Sequence, residues 1–170
     1  MKGLSKYILN YPDFPIKGTQ FKDILGLLQD PCIFRILIEK MASSERIKNS
    51  DAILAIDARG FIFGTAISLF SSKPMIVARK PNKLPGELLQ KKYKLEYGRN
   101  VLEIQKKSIN KFKKFNIVDD ILATGGTARC AEELLKQEGK EVLGFSFVAE
   151  ISKLRGSEKL GSFVESQIKL

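Results

Sequence analysis

The sequence predicts an α/β fold: a single domain whose mostly parallel, twisted sheet is flanked by helices on both faces. Three observations predict it. Short continuous apolar runs, of the kind found in strands buried on both faces, alternate with segments whose apolar residues recur at helical spacing. A length of 170 residues, 44% of them hydrophobic, is enough for one compact core. No internal repeat, low-complexity tract or Ser/Gly-rich linker divides the chain.

Asp30-Pro31 reads as a helix cap followed by a first-turn proline. Ile33, Phe34, Leu37, Ile38 and Met41 recur at helical spacing behind it, so a helix is expected over about 31–48. The run over 52–56 is a buried strand that ends at Asp57-Ala58-Arg59-Gly60, and 61–70 reads as the next helix. A short strand over 75–78 leads into a polar, Pro-containing stretch over 79–88 that is too broken for regular structure and too long for a tight turn; it is expected to be a mobile loop. Residues 89–106 alternate around Tyr97-Gly98-Arg99-Asn100 like the two arms of a hairpin. A strand over 115–118 runs into Asp119-Asp120, a helix covers 126–138 with Gly139 as its stop, and 141–149 is the last strand. Folds of this kind bind ligands beyond the carboxyl ends of their strands.

Composition removes several classes of chemistry. The chain has no His, which excludes Ser-His-Asp and Cys-His mechanisms and His-ligated zinc; carboxylates, Lys, Tyr, an oxygen-held metal or electrostatics remain. Cys32 and Cys130 are too few for a disulfide framework, and Cys130, in the first turns of the 126–138 helix, reads as a buried structural thiol. No run approaches the roughly 18 to 20 apolar residues that span a bilayer, and the N-terminus lacks a secretory pattern. A cytoplasmic protein without a membrane partner is expected. The net charge of +10, from 29 Lys and Arg against 19 Asp and Glu, suits a nucleic acid, a membrane surface or a phosphorylated metabolite, and equally a surface that is simply rich in Lys. Lys91, Lys92, Lys94, Lys106, Lys107, Lys111, Lys113 and Lys114 lack regular aromatic interleaving, so they read as surface and no nucleic-acid partner is expected.

The most informative stretch is 115–130, FNIVDDILATGGTARC, where an apolar strand delivers two acids, then a small-residue turn, then a helix. Gly125 and Gly126 let an anion approach the main chain, Thr124 and Thr127 offer hydroxyl donors, and the helix start presents unpaired N–H groups. Together with Ala123 these residues can hold a phosphate monoester. The segment is neither a P-loop nor a dinucleotide fingerprint. Asp119 and Asp120 repel one another, yet they can accept hydrogen bonds from the vicinal hydroxyls of a ribose and help to position Mg²⁺. A ribose 5-phosphate suits both halves.

A strand, two acids and a Thr-Gly-Gly-Thr turn resemble the phosphoribosyl-pyrophosphate (PRPP) signature of the type I phosphoribosyltransferases. Further segments are similar, in the same order, to the adenine-using members of that family: 11–15 (YPDFP), 21–24 (FKDI), 57–61 (DARGF), 79–80 (RK) with 83–86 (KLPG), and 95–98 (LEYG). The resemblance runs from about residue 11 to Leu160. It implies the type I phosphoribosyltransferase fold over 1–170, with a small N-terminal hood over the base site (about 1–30) and a mobile lid loop (about 79–97). The implied reaction is adenine + PRPP → AMP + pyrophosphate, a purine-salvage step in a homodimer, with Mg²⁺ held mainly by PRPP and no direct protein ligand. Asp119 and Asp120 are implied to hold the ribose, and Ala123, Thr124, Gly125, Gly126 and Thr127 the 5-phosphate. Pyrophosphate falls to Asp57, Ala58, Arg59 and Gly60, joined by Arg79, Lys80 and Lys83 from the lid; relatives carry a cis peptide at the position of Asp57-Ala58. Phe21 is implied to stack on adenine, Gln20 and Lys22 to read its edge through their backbones, and Glu96 to exchange the proton on the base. A non-catalytic regulator of the same fold has no need of Glu96 or of the KLPG segment, and the LEYG and FKDI segments argue against hypoxanthine, guanine or xanthine as the base.

Overall fold

A computed structural model describes residues 3–95 and 98–170. A 3₁₀ turn over Leu4–Tyr7 leads into β1 (Leu9–Pro12), which pairs antiparallel with β2 (Gln20–Asp23) in a two-stranded sheet of its own. α1 (Pro31–Ala42) is capped by the Asp30 carboxylate, which accepts the Cys32 and Ile33 N–H groups at 3.1 Å each. The single helix expected over 31–48 is in fact two. Ser43 Oγ donates to the Lys40 carbonyl at 2.9 Å and Ser44 Oγ accepts from the Arg46 N–H at 3.4 Å, so adjacent hydroxyls end α1 and cap α2 (Glu45–Asn49).

There follow β3 (Ala52–Ile56), α3 (Gly60–Ser71), β4 (Met75–Arg79), β5 (Leu88–Leu95), β6 (Gly98–Gln105), α4 (Lys106–Ile109), β7 (Lys114–Leu122), α5 (Gly126–Gln137), β8 (Glu141–Glu150) and β9 (Phe163–Lys169). The main sheet has seven strands in the order β5-β6-β4-β3-β7-β8-β9. Pairing is parallel from β4 through to β9, and the β5-β6 hairpin lies antiparallel at one edge. Two strand expectations change. β7 continues to Leu122, which makes Asp119 and Asp120 strand residues rather than its exit, and β9 is an edge strand beyond 141–149, the last strand expected. The residues expected to form the lid divide between a connection over 80–87 and β5, and residues 96–97 lie outside those described.

α1 and α3 cover one face of the sheet, where Leu37, Ile38, Met41, Phe63 and Ile67 pack on Ile53, Val118 and Val148. α5 covers the other, with Ala131, Leu134 and Leu135 against Leu54, Ile117, Phe145 and Phe147. Close approach of α3 to the sheet depends on Gly64, where a Cβ would stand 2.6 Å from Ala55 Cβ. Among the described residues no helix is long and apolar enough to cross a membrane. Because β3 is flanked by β4 on one side and β7 on the other, the chain reverses its direction of sheet growth between β3 and β7. The segments 57–60 and 123–127 both leave the sheet at that switch point, and Asp119 and Asp120 stand near the carboxyl end of β7 beside it.

Candidate active site

The turn after β7 forms one half of the site. Gly125 sits at φ 80°, in the left-handed region that glycine occupies without steric cost, and α5 begins at the next residue with its first N–H groups lacking intrahelical partners. Asp119, Leu122, Ala123, Thr124, Gly125, Gly126 and Thr127 help to line a cavity of about 120 Å³ here. Anion affinity follows from the helix N-terminus and the two hydroxyls.

A second cavity, of about 360 Å³, adjoins the first through Asp119 and Thr127 and is lined also by Asp57, Ala58, Arg59, Lys80, Tyr93, Leu102 and Asp120. The Asp57–Ala58 peptide is cis, as the resemblance implies. Gly60 lets the start of α3 lie against β7: a Cβ there would stand 2.7 Å from Asp119 Oδ1 and 3.1 Å from the Val118 carbonyl. Arg59 Nε meets Asp120 Oδ2 at 2.6 Å, while its Nη1 is buried without a hydrogen-bond partner among the described residues. From β4 and the following connection, Arg79 Nε and Lys83 Nζ reach Asp57 Oδ2 at 3.1 and 3.5 Å. Burial works against the Asp57 charge, but the Arg79 hydrogen bond and the Lys83 charge outweigh it and hold the carboxyl below its ordinary value. Asp119 is pushed the other way. Burial and the neighbouring Asp120 charge raise its carboxyl well above the usual range, with Arg59 opposing them, so a positive charge arriving beside this pair relieves a built-in repulsion.

Phe21, on β2, lines neither cavity but meets Arg59, which does, with the guanidinium 5.2 Å from its ring centroid and Phe14 edge-on at 5.1 Å. Gln20 is exposed, and Lys22 Nζ donates to Asn10 Oδ1 at 2.6 Å, so its side chain is engaged within the hairpin. Glu96, the residue expected to act on the base, lies outside the described residues. Tyr93 is an addition. Its hydroxyl lies 3.4 Å from Thr127 Oγ1, and a single Tyr within a basic strand carries no pattern that sequence analysis could have used. Cys130 is buried, and burial pushes its thiol up to about 12, in keeping with a structural role.

The sequence profile of the phosphoribosyl transferase domain matches residues 27–160. The chain belongs to this family. Among its curated relatives is an adenine phosphoribosyltransferase of Prochlorococcus marinus, 61% identical over 165 residues that make up 97% of this chain and 96% of the relative. Among solved structures, the adenine phosphoribosyltransferase of Thermoanaerobacter pseudethanolicus superposes with a TM-score of 0.92 at 39% identity, covering 98% of each chain. That of Saccharomyces cerevisiae, crystallised with an imino-altritol bisphosphate and adenine, gives 0.86 at 36% identity over 96% of this chain and 95% of that one. The two adjoining cavities of this phosphoribosyltransferase are thus built mainly from the 57–59 and 119–127 segments, with Lys80 entering from the connection after β4.

Proposed function

We propose that this phosphoribosyltransferase moves the 5-phosphoribosyl group of PRPP to adenine, giving AMP and pyrophosphate in purine salvage. The observation that carries the reading is the pair of adjoining cavities that share Asp119 and Thr127: a small one on a helix N-terminus and a larger one beside Arg59 and Lys80. PRPP has the matching form, with one phosphate at C5 of the ribose and two at C1. Adenine as the acceptor rests on the names of the relatives, each of which spans nearly the whole chain.

In this reading Ala123 to Thr127 hold the 5-phosphate through backbone N–H groups and hydroxyls, and Asp119 and Asp120 accept from the ribose hydroxyls. As the bond to pyrophosphate breaks, positive charge builds on the ribose beside that acidic pair, and negative charge builds on the leaving group beside Arg59, Lys80, Arg79 and Lys83. Both developing charges meet preset partners of opposite sign. Phe21 supplies a stacking face for the base, and the backbones of Gln20 and Lys22 its edge contacts. Glu96 accepts the proton that adenine loses as its nitrogen attacks the anomeric carbon.

Mg²⁺ enters with PRPP. The repulsion between Asp119 and Asp120 and their hard oxygen donors suit a divalent cation, while among the described residues no group of three or more His, Cys, Asp or Glu could hold one unaided. When bound it neutralises part of the pyrophosphate charge. The segment over about 1–30 serves as a hood over the base and about 79–97 as a closing lid, in a cytoplasmic homodimer; full activity in a species that sediments only as a monomer would contradict the dimer. The activity itself is tested by chromatography of a reaction with PRPP, Mg²⁺ and adenine. AMP and pyrophosphate are expected in equal amounts, and pyrophosphate without AMP would overturn the proposal.

A further inference from the structure

The phosphate cradle is backed by a segment far along the chain. Between β8 and β9, 3₁₀ turns at Ser152–Leu154 and Gly156–Lys159 bring the Gly156 backbone against the 123–125 turn. A Cβ on Gly156 would stand 2.1 Å from the Ala123 carbonyl oxygen and 3.0 Å from the Gly125 nitrogen, and one on Gly125 would stand 2.6 Å from the Gly156 carbonyl oxygen. The two backbones touch with no room for a side chain on either.

Gly156 is the one buried residue of its turn, so the turn adds little apolar mass to the core; it is held in place by polar anchors. The Ile151 N–H donates to the Leu122 carbonyl at 2.9 Å, directly before the cradle. Ser157 Oγ donates to Glu150 Oε1 at 2.8 Å, and Glu150 is 3% exposed. At the far end the Gly161 N–H and Ser162 Oγ donate to the two oxygens of Glu132, also 3% exposed, at 3.0 and 2.8 Å. Glu132 belongs to α5, the helix whose N-terminus completes the cradle, and Glu150 ends β8, which pairs with β7. Two buried carboxylates on the elements flanking the cradle thus clamp one turn.

We infer that Gly156 is a positioning residue for the phosphate cradle: its backbone, fixed through Ser157–Glu150 and through Glu132, sets where Ala123 and Gly125 lie and so where the Gly125 N–H meets the 5-phosphate. This rests on the proposed function and names a residue that acts without touching substrate. A side chain at 156 displaces Ala123 and Gly125 toward the space lined by 119–128 that the phosphate needs.

Ribose 5-phosphate and inorganic pyrophosphate separate the two cavities, so titration calorimetry with each in Mg²⁺ buffer is the test, alongside steady-state kinetics. Gly156→Ala is expected to weaken ribose 5-phosphate about tenfold or more, the scale of one hydrogen bond to an anion, with pyrophosphate changed by less than about threefold and KM for PRPP raised more than kcat falls. Should that variant not fold, the Ser157 pair decides: Ser157→Ala loses about threefold or more for ribose 5-phosphate, and Ser157→Thr, which keeps the hydroxyl, stays at the wild-type value. Unchanged ribose 5-phosphate affinity, or equal loss of both ligands, overturns the inference. Wild-type protein that binds no ribose 5-phosphate overturns the proposed function, and this inference with it.

Discussion

Replacing Arg59 with Lys keeps the charge and removes the fork, which makes it the sharpest probe of the larger cavity. Arg59 does three things at once: Nε meets Asp120 at 2.6 Å, the guanidinium plane lies 5.2 Å from the Phe21 centroid, and Nη1 is buried and unpartnered among the described residues. An ammonium is a single point charge and serves at most one of these. The charge-assisted hydrogen bond that Nη1 would give to a bound pyrophosphate is worth about 1.5–3 kcal/mol, and because the Arg59 side chain is 33% exposed the lower part of that range applies. At about 1.4 kcal/mol per decade, kcat/KM for PRPP falls roughly tenfold to thirtyfold. The Asp120 side chain, 8% exposed and next to Asp119, keeps a counter-charge only if the Lys reaches it, so part of the loss appears in kcat as a misplaced acidic pair. Initial rates at saturating adenine with PRPP varied, together with a thermal melt, give both quantities. A folded Arg59→Lys enzyme with kcat/KM within about threefold of wild type would refute the reasoning, since no charge-assisted contact would then have been lost.

Three further outcomes are expected. Gly64→Ala places a methyl 2.6 Å from Ala55 Cβ and 3.1 Å from Met75 Sδ, none of which lines either cavity; overpacking of about 1–3 kcal/mol should lower Tm by several degrees while kcat/KM changes much less than for Arg59→Lys, and an unchanged Tm would show that α3 shifts freely. Glu150 is penalised by burial, yet Lys169, Ser157 and Ser166 outweigh that and hold its carboxyl below the ordinary value, so its stabilisation is present above the unfolded pKa of about 4.3 and is lost as pH falls through the folded value. The Tm gap between wild type and Glu150→Gln should therefore narrow as pH drops from neutrality to below about 4, and a constant gap would contradict the assignment. Glu96→Gln should leave PRPP binding intact and slow AMP formation about 100-fold; a change of less than about threefold, with chemistry rate-limiting, would leave electrostatic positioning of PRPP as the source of catalysis.

The parts of the fold that were legible are those whose signal is local. β3 is an unbroken apolar run buried on both faces, and α5 shows apolar spacing between a Gly-Gly turn and a terminal Gly139. The same local logic explains the errors. Apolar spacing carried the first helix past Ser43 and Ser44, whose hydroxyls compete for backbone groups and end it, and β9 (FVESQIK) stayed hidden because a half-covered edge strand mixes apolar with charged residues. Residues 57–59, 80, 119–120 and 123–127 line the two adjoining cavities because each lies in or just after the carboxyl end of one of three neighbouring strands. Tyr93 and Gly156 matter through contacts with Thr127 and Gly125, which are remote in sequence, and neither contact leaves a mark on the residues around them.

The choice of adenine as acceptor is measured by the initial rate of pyrophosphate release from PRPP and Mg²⁺ with adenine, hypoxanthine, guanine or xanthine supplied one at a time. Adenine is expected to exceed the other three in kcat/KM by about a hundredfold or more, since the proposed backbone contacts of Gln20 and Lys22 to the base edge would be left unpaired with the wrong base. Comparable rates with hypoxanthine or guanine, or release that does not depend on any base, would contradict it.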